Sequence, residues 1–152
     1  MMIFLFISIV YMRSVNLENN KITSIAQTYE TIQVEITNDL KKEFTKNLQI
    51  WNAVLDSLTL SIRFENPEIL FNVGSAELND HFKSILDSFF PRFIQILTDP
   101  KYKNDIEEIR IEGHTSSEWA GESSPYQAYF NNMELSQDRT RKVLEYILSQ
   151  IK

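Results

Sequence analysis

Arg139 stands where a charge needs a reason. It follows Leu135 by four positions and precedes Val143 by four, so it shares an apolar helical stripe instead of facing water. An unpaired ion on such a stripe is costly, and the guanidinium therefore requires acceptors. Its planar fork suits two-point recognition of a carboxylate, supplied by a ligand or, as a structural ion pair, by Glu112, Glu118 or Asp138. A second polar cluster, Gly113-His114-Thr115-Ser116-Ser117-Glu118-Trp119, ends a strand and opens a long loop. His114 beside Ser116 and Ser117 raises nucleophilic hydrolysis, but no elbow glycines flank the serines and no acid is placed for the histidine. A histidine hydrogen-bonded to the loop backbone is the simpler reading. Trp119, Tyr126, Tyr129 and Phe130 crowd the same corner, where they can cap the core or lie against a sugar face.

Composition narrows the chemistry. With no cysteine and only two histidines, His81 and His114, thiolate chemistry is excluded and a metal site is poorly supplied; no cofactor is expected. A net charge of −6 argues against sequence-independent nucleic-acid binding. The 152 residues suffice for one globular domain and an appendage.

The elements that must position these residues follow from periodicity. Met1–Met12 is almost wholly apolar and ends at Arg13, too short to span a bilayer alone. Residues 1–13 are read as the outer part of a transmembrane helix; a signal peptide or a buried core helix is the competing reading. From Asn16 to Leu55 there is no Gly or Pro, and Ile25, Tyr29, Ile32, Ile36, Leu40, Phe44, Leu48 and Trp51 recur every three or four positions. Residues 14–56 are thus expected as a helical stalk that pairs with a second copy, or as a helix folded back on the domain. Leu58–Phe64 alternates as a strand, and Ile109–Gly113 as another. Between them a helix opens at Asn79, with a kink or break at Pro91. The last helix is expected to open at Asn131 or Asn132, with Glu134 completing a capping box. The fold class is α+β, with helices layered on one face of a small sheet.

Three quoted stretches then carry a resemblance: Leu70-Phe71 with Ser75-Ala76-Glu77-Leu78; Glu112-Gly113-His114-Thr115; and Asn132, Leu135-Ser136, Arg139-Thr140, Val143 and Ile147 at their spacing. Together they resemble the OmpA C-terminal family over residues 57–152. That resemblance implies a βαβα unit that binds peptidoglycan without catalysis. It implies that Arg139 holds a carboxylate of the stem peptide, with Thr115, Ser116, Glu118, Asn132 and Leu135 shaping the pocket. Ser116 departs from the family's usual Asp, which meets the ligand's ammonium, and Glu118 is the nearby acid able to replace it. The family also has a strand after the final helix, and none follows here, so a chain cut at both ends is expected. Within the family, the apolar start and long helix are similar to MotB-type stator subunits, most of all those of Zorya anti-phage systems. This implies an inner-membrane, single-pass protein with its C-terminal domain in the periplasm, a homodimer, and a multi-pass motor partner (ZorA/MotA-like). A flagellar MotB relative or a plain wall tether is the alternative.

Overall fold

A computed structural model of the chain describes residues 5–10, 19–65, 70–72, 74–114 and 124–150. Four strands and three long helices alternate along it: β1 (Leu5–Val10), α1 (Asn19–Ile50), β2 (Ala53–Asp56), β3 (Ser61–Phe64), α2 (Asp80–Leu97), β4 (Glu108–Gly113) and α3 (Pro125–Gln150). The sheet order is β2-β3-β1-β4. β1 runs antiparallel to both neighbours, with Ile7 opposite Ile62 on one side and Ile111 on the other. The α+β layering expected from periodicity is what forms.

The strand β1 corrects the expectation of a membrane helix over residues 1–13. Leu-Phe-Ile-Ser-Ile-Val is rich in β-branched and aromatic residues, which favour a pleated strand. A central strand pairs both of its backbone edges, a better use of five apolar residues and a serine than a helix too short to span. Among the described residues no helix is long and apolar enough to cross a membrane.

The expected strand Leu58–Phe64 is instead the second half of a hairpin. Asp56 Oδ1 accepts the backbone N–H of Leu58 (2.8 Å) and of Thr59 (3.3 Å), turning the chain before β3. These bonds hold the Asp56 carboxyl below its ordinary range, the Leu58 backbone bond contributing most. Leu60 leaves the turn with φ of 50° and is buried, while Leu58, the residue whose alternation suggested a strand face, is exposed.

α1 folds back, as one of its two sequence readings had it. Ile36, Leu40 and Phe44 are wholly buried in the same core as Ile62, Phe64, Phe82 and Phe89. Its end is set by Asn52 in the left-handed region (φ 49°), and Trp51 then packs edge-on against Phe89 at 6.0 Å. The domain core therefore begins inside residues 14–56 and not at 57. Polar clasps line the seam: Arg92 Nη1 lies 2.9 Å from Glu43, and Asp39 Oδ2 accepts from Lys101 Nζ (2.5 Å) and the Tyr102 hydroxyl (2.6 Å).

α2 opens where expected, the Asn79 side chain accepting the Phe82 N–H at 2.7 Å. It is neither broken nor split at Pro91. That residue lies on the exposed face, so the carbonyl deprived of its partner faces water.

Candidate functional site

α3 begins at Pro125, earlier than expected. Ser124 is its cap, with Oγ accepting the Gln127 N–H at 3.2 Å, and proline suits the first helical position. Asn131 and Asn132 are consequently inside the helix and cap nothing. Asn132 is fully buried and joins Ala128, Leu135, Ser136, Arg139, Val143 and Ile147 on one stripe.

β4 supplies the opposing wall. A Cβ on Gly113 would meet the Ser136 hydroxyl, with Thr140 Oγ1 at 2.7 Å and the Ser136 carbonyl at 2.9 Å. Only glycine lets the strand end approach the helix this closely. This contact sets the end of β4 against the middle of α3.

The third wall is the segment between β3 and α2. Phe71 and Leu78 form an isolated antiparallel bridge around a turn in which Gly74 takes φ of 67° and the Ser75 N–H donates to the Asn72 carbonyl at 3.0 Å. The turn aims two backbone carbonyls at α3. Arg139 Nε donates to the Ser75 carbonyl (2.8 Å) and Nη2 to the Asn72 carbonyl (3.3 Å). The guanidinium carbon stands 4.7 Å above the centre of the Phe71 ring.

What this cation lacks is more informative. Arg139 is 3% exposed, yet no carboxylate among the described residues pairs with it. Asp138 instead bonds Arg141 at 2.9 Å, and Glu112 lies 3.7 Å from His114 Nε2. Nη1 is buried with no hydrogen-bond partner among the described residues. Desolvation therefore pulls the Arg139 pKa below its ordinary value, with no counter-charge to restore it. Carbonyl dipoles and a ring face hold the fork in place, and Nη1 is left without a partner among the described residues.

Of the residues expected at the site, Asn132, Leu135 and Arg139 come together on α3, all buried. Thr115, Ser116 and Glu118 lie outside the described residues. Sequence reasoning missed Phe71, Asn72 and Ser75 as the seat of the guanidinium; the Leu70-Phe71 and Ser75–Leu78 pattern was the available signal, since it places this turn in the same unit as Arg139. A mostly apolar cavity of about 510 Å³ between β4 and α3 includes Gly113 and Ser136 but none of the three buried site residues. No group of His, Cys, Asp and Glu among the described residues could hold a metal ion.

Two comparisons with known proteins find matches. The sequence model of the OmpA family matches residues 70–151. The Zorya protein ZorB of Escherichia coli strain Crooks is 52% identical over 147 residues, covering 97% of this chain and 62% of that protein. The chain thus spans less than two thirds of that relative's length. No solved structure matches.

Proposed function

The chain belongs to the OmpA family, and from that membership we propose that it is the wall-binding part of a stator-like subunit of the ZorB and MotB kind, acting in anti-phage defence. The domain stands in the periplasm, on a protein attached to the inner membrane, and binds peptidoglycan non-covalently without catalysis. Two copies assemble with a multi-pass motor partner (ZorA/MotA-like). The 52% identity to a Zorya protein supports the subunit type. The attachment is proposed for the whole protein, because that relative is longer than this chain and Leu5–Val10 is a strand here.

One observation carries the ligand assignment: a buried guanidinium that, among the described residues, is held by backbone carbonyls and a ring face alone, with Nη1 unengaged. Such a group is stabilised when a carboxylate arrives, and the fork selects a planar acceptor. The diamino acid of a stem peptide offers that carboxylate. Its ammonium is assigned to Glu118, with Thr115 and Ser116 completing the loop side and Asn132 and Leu135 the helix side.

Co-sedimentation with purified sacculi tests the reading. The wild-type chain pellets; Arg139→Ala and Arg139→Lys stay in the supernatant with unchanged circular dichroism, the lysine keeping the charge but losing the fork. Pelleting of folded Arg139→Ala removes the site assignment. A wild type that does not pellet removes the ligand.

A further inference from the structure

The first two turns of α3 carry three exposed rings that the carboxylate site does not use: Tyr126 (74% exposed), Tyr129 (58%) and Phe130 (41%). They are not scattered. Tyr126 and Phe130 pack with centroids 4.7 Å apart, and Tyr129 meets Phe130 edge-on at 5.4 Å. The rings therefore steady one another while keeping open faces, so little ordering remains to be done on binding.

Their surroundings narrow what covers them. From Pro125 to Met133 the helix has no charged side chain; its polar groups there include the amides of Gln127 and Asn131. Open ring faces beside neutral amides suit an uncharged, hydroxyl-rich ligand whose C–H groups meet the negative ring face. A second copy of the chain is a poorer fit, because a stable interface needs roughly 800 Å² from each partner and three partly exposed rings fall well short.

Position names the sugar. Asn132, Ser136 and Arg139 lie on the buried stripe of the helix, and the exposed Tyr129 comes three positions before Asn132 and ten before Arg139. Tyr129 therefore stands about 15 Å along the axis from Arg139 at ~1.5 Å per residue. Three extended stem residues reach about 10–11 Å, and the γ-linkage and the lactyl arm that joins them to the sugar lengthen this further. A stem peptide anchored at Arg139 thus sets its own glycan over the rings.

Resting on the wall-binding reading above, we infer that Tyr126, Tyr129 and Phe130 form a glycan subsite that stacks a sugar ring of the same peptidoglycan strand whose stem peptide enters at Arg139. Two soluble probes separate this from the parent reading: a free stem tripeptide and the same tripeptide on its GlcNAc-MurNAc disaccharide. By calorimetry the wild-type chain binds the disaccharide form about tenfold tighter, a gain within reach of one or two aromatic contacts. The triple variant Tyr126→Ser, Tyr129→Ser, Phe130→Ser folds as the wild type, since the rings are exposed. It binds the tripeptide unchanged and loses the tenfold gain. Equal wild-type affinity for both probes overturns the subsite while sparing the Arg139 site. So does a triple variant that retains the gain, or one whose only change is loss of self-association in light scattering. Failure of the wild type to bind either probe overturns the parent reading, and the subsite with it.

Discussion

Among the described residues two arginines lie over phenylalanine rings, and they are treated differently. Arg92 sits 4.9 Å from the Phe44 ring centre and is answered by Glu43 at 2.9 Å, Ser88 and Asn47, at the rim of the α1–α2 seam. Arg139 sits 4.7 Å from Phe71, deeper, with two backbone carbonyls and no carboxylate among the described residues. A cation that only holds elements together is placed where a counter-charge is free and water screens the remainder. A cation kept in the interior without a counter-charge costs stability, and that cost is recovered when a ligand brings the charge. On the proposed reading, the contrast separates a clasp from a site.

The sharpest way to break the contrast is to replace each arginine by methionine, which keeps length and removes charge. Arg139→Met loses wall binding by at least about a hundredfold, the scale of truncating one partner of a buried charge pair. Its melting temperature stays level or rises, because the Asn72 and Ser75 carbonyls released belong to residues water can reach. Arg92→Met binds as the wild type and melts a few degrees lower, reflecting about 1 kcal/mol. A fall of many degrees for Arg139→Met in a thermal scan would make both arginines clasps.

A smaller effect tests how the site is assembled. Gly113→Ala forces β4 off α3, at about 1–3 kcal/mol of overpacking, and misplaces the loop that begins at His114. Denaturant titration reads the first consequence and sacculus binding the second. Wild-type stability in the variant would mean that the strand and helix have room to part.

The smallest effect belongs to the clasped side. The Lys101 ammonium, and then the Tyr102 hydroxyl, hold the Asp39 carboxyl below its ordinary value. A depressed carboxylate contributes stability that is present above its unfolded value of about 3.9 and is lost as pH falls through the folded value. Wild-type stability therefore declines below about pH 4, and Asp39→Asn shows a shallower decline there. Coincident acid-unfolding curves would remove Asp39 from the clasp.

How much of this was legible can be argued from particular residues. Asn79 was readable as a cap because its effect is local: a side-chain oxygen three residues from the N–H it accepts. The stripe Ile36, Leu40, Phe44 was readable as buried, but what buries it was not, since periodicity is the same for a stalk and for a helix folded on its own domain. The hairpin at Asp56–Leu60 hid behind a false alternation, because Leu58 sits at strand spacing yet occupies a turn. The start of α3 was missed because Asn131 and Glu134 imitate a capping box, while Ser124-Pro125 ahead of them was the signal in use. Leu5–Val10 misled most: an apolar run of that length is compatible with membrane, helix and strand alike.

The sequence alone determined the helices, the presence of a charge on an apolar stripe and the OmpA pattern around it, because each rests on spacing within a few turns of one chain segment. Only the tertiary structure decided that Arg139 is seated by Ser75 and Asn72 with no carboxylate among the described residues, that α1 closes the core, and that the rings of α3 stand open. Those outcomes depend on which distant segments compete for the same partner, and a carboxylate many residues away in sequence declares its choice only once the chain has folded.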